Sequence, residues 1–111
     1  MIYCFDIDGT ICNNTEGNYP EAIPRAEVIS KLNELYDAGH TIVMHTARGG
    51  TTGIDWSELT EQQLKTWNVK YHQLVLGKIT ADVYIDDKCI HVSDFMEGMK
   101  MPKMSSDEAR R

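Results

Sequence analysis

The chain contains few cysteines, and their spacing suits neither metal binding nor cross-linking. Cys4, Cys12 and Cys89 are an odd number among 111 residues, and no two of them form a CxxC pair. Structural zinc sites use closely spaced pairs, and small disulfide-stabilised domains use an even and denser set. The sequence therefore predicts neither a zinc site nor a disulfide framework, and reduced thiols indicate a cytoplasmic protein.

Long apolar runs and an excess of positive charge are also absent. No apolar run approaches the roughly 20 residues that span a membrane, and the N-terminus lacks the basic region and cleavage site of a signal peptide. The 17 Asp and Glu residues outnumber the 11 Lys and Arg residues, for a net charge of −6. This balance argues against a nucleic acid polymer or a membrane as partner. An anionic substrate would need local positive charge from Lys, Arg or a metal ion.

What the chain does contain is an alternation of strand and helix patterns. Strand-like runs cover residues 2–7, 41–45, 73–76 and 82–85, and a weaker one covers 89–92. One helix pattern runs between Pro24 and Gly39, and a second follows Asp55 as a candidate N-cap. This alternation predicts an α/β fold with a mainly parallel sheet of about five strands. Such sheets bind ligands beyond the carboxyl ends of their strands.

The first strand-like run ends in two carboxylates, within the segment FDIDGT. If the chain curls after the strand, Asp6 and Asp8 reach one site. Like charges this close are costly unless a cation or a proton lies between them. A simple turn is the alternative interpretation, because Asp and Gly are turn residues.

Three later features place further polar groups at or near the ends of other apolar runs. Thr46 begins the glycine-containing segment TARGG, whose hydroxyl and N–H groups suit phosphate oxygens. Lys78 follows the third run closely, and the adjacent acids Asp86 and Asp87 end the fourth. Thr46 or Lys78 alone would be weak evidence for a phosphate site. They support one only because of their order in the chain and their positions near the strand ends.

The ordered set FDIDGTI, HTARGG, Lys78 and ADVYIDDK resembles the haloacid dehalogenase-like (HAD) hydrolase superfamily, across residues 1–93. The resemblance implies a three-layer Rossmann-like core and phosphoryl transfer through an aspartyl phosphate. Asp6 would be the nucleophile, and Asp8 the general acid and base. Thr46 and Lys78 would bind the phosphoryl group. Since Asp8 marks phosphoryl-transfer members of the superfamily, the expected activity is that of a phosphatase.

The same resemblance implies a Mg²⁺ cofactor. Its expected ligands are the Asp6 carboxylate, the Asp8 main-chain carbonyl and Asp87, with Asp86 either a direct ligand or one shell further out. Oxygen donors of this kind are those that Mg²⁺ prefers. Arg48, two residues after Thr46, has two interpretations: it clamps an anionic or hydroxyl-rich part of the substrate, or it forms a structural ion pair.

The intervals between these motifs are too short for a cap domain. Residues 12–24 form a short polar segment, and residues 49–77 hold one loop and one helix. We therefore expect a capless phosphatase core over residues 1–93 and a tail over 94–111 that is Met-rich and then polar. Open capless sites favour large substrates or closure by another subunit, so we hypothesise a homo-oligomer.

The substrate is expected to be a small phosphorylated molecule. The residues around Lys78 and Asp86 resemble the small phosphatases of capsule or surface polysaccharide synthesis, which implies a phosphorylated sugar. They also resemble the deoxyribonucleotidase-like branch, which implies a nucleoside monophosphate. A phosphotransferase or mutase is a further alternative. A receiver-like signalling module is another, although receivers have the adjacent acid pair near the N-terminus rather than late in the chain.

Overall fold

A computed structural model of the protein describes residues 1–50 and 52–98. The chain divides into two compact units, Met1–Thr80 and Ala81–Arg111. Within the described residues, no helix has both the length and the apolar character that a membrane span requires.

The first unit is built on a parallel sheet of three strands. These are β1 (Ile2–Phe5), β2 (Thr41–Thr46) and β3 (Gln73–Leu76), in the order β1-β2-β3. In the register, Cys4 lies beside Val43, and Met44 lies beside Leu74. The predicted α/β class with parallel strands is confirmed.

Two helices connect the strands, as the periodicity predicts. The first connection holds a short 3₁₀ turn (Tyr19–Glu21) and then α1 (Ala26–Asp37), and the second holds α2 (Ser57–Thr66). Gly39 ends α1 with φ of +95°, a conformation that glycine adopts without strain. Before α2, the carboxylate of Asp55 accepts the Ser57 N–H at 2.9 Å. Among the described residues these connections contain no further helix or strand.

One face of the sheet carries the core of this unit. Phe5, Ile42 and Met44 are buried on that face, whereas Ile2 and Cys4 on the other are exposed. Right-handed crossovers that move in one direction across the sheet place both connecting helices on the same face. Burying one such side chain fully contributes about 1.5–3 kcal/mol. Met1–Thr80 is therefore a two-layer unit with its apolar core between sheet and helices.

The expected fourth and fifth strands do not form in the described residues. Residues 82–85 and 89–91 belong to no strand, and Val92, at the end of the predicted fifth run, instead begins α3 (Val92–Met96). Val83 and Ile85 are 70% and 96% exposed. An apolar run becomes a strand only when a neighbouring backbone satisfies its N–H and C=O groups. The sheet therefore has three strands rather than about five, and the predicted third layer is not confirmed.

Helix α3 has a cap that the strand prediction did not anticipate. The side chain of His91 accepts the Ser93 N–H at 3.1 Å, and Phe95 is buried. A side-chain acceptor at this position satisfies one of the free N–H groups of the first turn. Of the predicted Met-rich tail, Met96 lies in α3, and the remainder beyond residue 98 lies outside the described residues.

Candidate functional site

The ends of the three strands bring the first set of predicted residues together. Asp6 directly follows β1, Thr46 ends β2, and Lys78 follows β3 by two residues. The N–H groups of Gly77 and Lys78 both donate to the Thr46 carbonyl, at 3.1 and 3.0 Å. These bonds turn the chain after β3, and Lys78 Nζ then lies 3.7 Å from Asp6 Oδ2.

The loop after Asp6 returns Asp8 to the same edge of the sheet. The carbonyl of Ile7 accepts the N–H groups of Thr10 and Ile11, at 3.1 and 3.0 Å. Gly9 has φ of +82°, and its N–H donates to the Cys12 carbonyl at 2.9 Å. Ile7 and Ile11 are fully buried and anchor the loop. The curl that the sequence prediction requires is therefore present.

The carboxylate of Asp8 forms a two-pronged ion pair with Arg48. Arg48 Nε donates to Asp8 Oδ2 and Nη2 donates to Oδ1, each at 2.9 Å. The Arg48 side chain is 0% exposed and that of Asp8 is 19% exposed. Two parallel N–H···O bonds fix the plane of a carboxylate as well as its position. Of the two interpretations of Arg48, the ion pair is the arrangement seen in the structure.

Three neighbours hold the guanidinium of Arg48 in turn. Its Nη1 donates to Thr60 Oγ1 at 3.1 Å and to Gln63 Oε1. The Tyr19 ring lies over the guanidinium, 4.6 Å from its carbon to the ring centroid. Gln63 Nε2 also donates to the Tyr19 carbonyl at 2.7 Å. The segment between β1 and α1 is thus fastened to α2 through the same side chains that hold Arg48.

Tyr19, Thr60 and Gln63 were missed by the sequence analysis, although the two on α2 left a signal. Thr60 and Gln63 fall on the 3-and-4 spacing of the face of α2 that also carries Leu64, and all three are buried. Buried polar side chains need hydrogen-bond partners. Polar residues on a core-facing stripe therefore predict a buried polar partner, here Arg48. Tyr19 gave no comparable signal in its polar segment.

Burial raises the pKa of three groups at this edge. Burial is the main cause of the raised pKa of Asp6; Lys78 opposes it, and the nearby charge of Asp8 adds to it. Burial, assisted by Asp8, raises the pKa of the Cys12 thiol to about 12, so Cys12 stays protonated. Burial and Asp8 also raise the pKa of the Tyr19 phenol. The negative charges of Asp6 and Asp8 therefore lie close enough to repel each other.

Thr46 and the main chain supply hydrogen-bonding groups beside the carboxylates. Thr46 is buried, and its Oγ1 accepts the Arg48 N–H at 3.1 Å, so the hydroxyl hydrogen is directed elsewhere. Among the backbone hydrogen bonds of the described residues, none ends on the Asp8 carbonyl. Within residues 1–50 and 52–98, no three His, Cys, Asp or Glu side chains gather as a ready metal site.

Asp86 and Asp87 belong to the second unit, where both are exposed. The carboxylate of Asp86 accepts the Lys88 N–H at 2.9 Å. This bond is the main cause of its lowered pKa, and a hydrogen bond with Asp87 adds to the effect. The assignment of this acid pair as metal ligands stays a prediction.

Comparison with known proteins gives a structural neighbour without a stated function. No protein-family model matches the chain, and none of the curated proteins matches it significantly. A crystal structure of a structural-genomics target from Vibrio cholerae is similar, with 27% sequence identity and a TM-score of 0.77. The similarity covers 98% of this chain and 93% of that one. The chain therefore shares its fold with that Vibrio cholerae protein along nearly its whole length.

Proposed function

We propose that the protein is a capless HAD-like phosphatase that hydrolyses phosphate monoesters through Asp6. The observation that carries this proposal is the grouping of Asp6, Asp8, Thr46 and Lys78 at one edge of a parallel sheet. Asp6 is the only one of the two carboxylates without a guanidinium partner among the described residues, and its side chain is 35% exposed. It is therefore the carboxylate that an incoming phosphoryl group can reach.

Two displacement steps account for hydrolysis. In the first, an Asp6 oxygen forms a bond to phosphorus while the ester P–O bond breaks, and Asp8 gives its proton to the departing oxygen. In the second, water attacks phosphorus while Asp8 takes a proton from it, and the bond between Asp6 and phosphorus breaks. The carboxylate of Asp6 and the proton on Asp8 are both restored, and free phosphate leaves.

Positive charge beside Asp6 makes the first step feasible. A carboxylate and a phosphate oxygen about 4 Å apart repel by about 4 kcal/mol at an effective dielectric near 20. Lys78 Nζ, 3.7 Å from Asp6 Oδ2, neutralises part of this charge. The Thr46 hydroxyl, whose oxygen accepts the Arg48 N–H, donates its hydrogen to a phosphoryl oxygen.

The donor atoms at this edge fit Mg²⁺. The Asp6 carboxylate and the Asp8 carbonyl are hard oxygen donors, and the Asp8 side chain is already occupied by Arg48. When bound, Mg²⁺ would lower the negative charge that the phosphoryl group meets. The sequence resemblance adds Asp87 and Asp86 to this set as a prediction.

The substrate that we propose is a phosphorylated sugar of surface polysaccharide metabolism, and the alternative is a nucleoside monophosphate. Both come from the sequence resemblance around Lys78 and Asp86. The three free cysteines suit the reducing conditions of the cytoplasm, where we place the reaction.

Phosphate release tests this function directly. The purified protein is assayed against sugar phosphates and nucleoside monophosphates, with Mg²⁺ and with EDTA. We expect metal-dependent release that Asp6→Asn abolishes, because an amide cannot serve as the nucleophile. Asp37→Asn is the matched control, since Asp37 is 59% exposed and pairs with Lys70 outside the site. Full activity in Asp6→Asn would contradict the covalent mechanism, and a preference for nucleotides would select the alternative substrate.

A further inference from the structure

Arg48 and Asp8 form an ion pair in which the arginine is buried and hydrogen-bonded to further residues. A lone surface pair contributes little stability, but the Arg48 side chain is fully buried and hydrogen-bonds to Asp8, Thr60 and Gln63. The guanidinium of Arg48 donates two hydrogen bonds to the Asp8 carboxylate. Thr60, Gln63 and the Tyr19 ring fix the orientation of this guanidinium. Together these contacts hold the Asp8 carboxyl group in one plane.

The two oxygens of that carboxyl group are used unequally. Asp8 Oδ1 accepts from Arg48 Nη2 and also lies 3.6 Å from the Cys12 sulfur. Asp8 Oδ2 accepts from Arg48 Nε at 2.9 Å. A carboxylate oxygen has two lone pairs, so Oδ2 keeps one for a proton.

We propose that Arg48 is a positioning residue that fixes Asp8 so that Oδ2 carries the proton to and from the leaving-group oxygen. This inference rests on the proposed phosphatase function. This role differs from both interpretations that the sequence left open for Arg48, a clamp on the substrate and a structural ion pair. Misplacing a catalytic group by a small distance is costly, because proton transfer needs hydrogen-bond contact in the transition state.

The dependence of rate on the leaving group separates this role from a structural one. Phenyl phosphate and 4-nitrophenyl phosphate have similar shapes, but only phenolate, the more basic leaving group, depends strongly on a donated proton. With a covalent intermediate, kcat/KM reports the steps up to departure of the leaving group. A defect in aiming Asp8 therefore lowers kcat/KM for phenyl phosphate more than for 4-nitrophenyl phosphate.

Arg48→Lys and Arg48→Met are the test variants. A single ammonium group cannot bond both carboxylate oxygens in the plane of a guanidinium, so we expect lysine not to restore the function. We expect both variants to lose at least about 10-fold more kcat/KM on phenyl phosphate than on 4-nitrophenyl phosphate, a fraction of the full effect of general acid catalysis. Val28→Ala, at a buried position of α1, is the control for weakened packing and should affect both esters equally.

An Asp8→Asn background completes the test and guards against misfolding. In Asp8→Asn the acid is already lost, so Arg48→Met should change the ratio of the two kcat/KM values no further. This double variant also carries no unpaired buried charge. Equal losses on both esters in an active enzyme, or a further change of the ratio in the Asp8→Asn background, would overturn the positioning role alone. Absence of Asp6-dependent phosphate release from the unsubstituted protein would overturn the proposed function and this inference with it.

Discussion

At the scale of single residues, the two acids of FDIDGT have different surroundings although only one residue separates them. Asp8 is held by a buried guanidinium, whereas the nearest cation to Asp6 in an ion pair is the more distant Lys78 ammonium, and the Ile7 N–H also bonds to Asp6. Burial raises the pKa of Asp6 above its usual 3.8, so holding Asp6 ionised opposes folding. A carboxylate with a raised pKa in a cleft is typical of functional sites, which agrees with the nucleophile role that we propose for Asp6.

This imbalance predicts a pH-dependent gain of stability in Asp6→Asn. A carboxyl group with a raised pKa keeps its proton longer in the folded state, so stability falls as pH rises from about 3.8 through the raised pKa. Above that window the destabilisation is complete. In EDTA, we expect Asp6→Asn to have a higher Tm than the unsubstituted protein at pH 7, with the difference shrinking toward pH 4.

Thermal unfolding at the two pH values, with Asp37→Asn as control, measures this effect. A lower Tm of Asp6→Asn at pH 7, or a difference of equal size at both pH values, would contradict the assignment of Asp6 as a destabilising, half-buried carboxylate.

At the scale of elements, the loop between β2 and α2 depends on one glycine. Gly49 has φ of +83°, and a Cβ there would overlap the backbone carbonyl of Ile54. The Gly53 N–H closes the same loop on the Gly49 carbonyl at 2.9 Å. Because Arg48 precedes Gly49 directly, this turn also sets where the guanidinium enters the site.

Gly49→Ala and Gly53→Ala form a matched pair for testing the close approach. Both glycines have positive φ, but a Cβ at Gly53 would meet no atom within 4 Å. We expect Gly53→Ala to show only the conformational cost and Gly49→Ala to lose about 1–3 kcal/mol more through overpacking against backbone. Urea unfolding midpoints compare the two variants, and equal losses would show that the loop relaxes around the added methyl group.

The prediction of α2 shows what periodicity can and cannot provide. The sequence predicts Asp55 as the N-cap, but Trp56 occupies that position, and Asp55 accepts the Ser57 N–H from one residue further back.

Leu64 on the inner face of α2 is buried. The same face also buries Thr60 and Gln63. Hydrophobicity alone does not explain the burial of Thr60 and Gln63. Both hydrogen-bond to Arg48, which follows β2 and is not part of the helix.

At the scale of the whole molecule, we expect self-association. In the unit Ala81–Arg111, Val83, Tyr84 and Ile85 follow one another in the sequence and are 70%, 45% and 96% exposed. Grouped exposed apolar residues are typical of interaction surfaces, whereas isolated ones are ordinary.

Sedimentation equilibrium is expected to give a mass that is a multiple of the 12.6 kDa chain. Ile85→Lys should shift the population toward the monomer, because a charge would be buried at the contact. Ile23→Lys is the control, at an exposed isoleucine in the other unit. A mass of 12.6 kDa at every concentration would exclude the homo-oligomer.

The sequence by itself determined the three parallel strands, the two connecting helices and the edge at which Asp6, Asp8, Thr46 and Lys78 meet. These follow from local periodicity and from the geometry of parallel crossovers, which act over short stretches of chain. Only the tertiary structure decided that Arg48 binds Asp8 and that Thr60 and Gln63 support it. It also decided that residues 82–85 form no strand among the described residues. Those outcomes depend on which groups meet across the fold. A buried charge needs an oppositely charged or hydrogen-bonding partner, and a strand needs a neighbouring backbone, and both come from distant parts of the sequence.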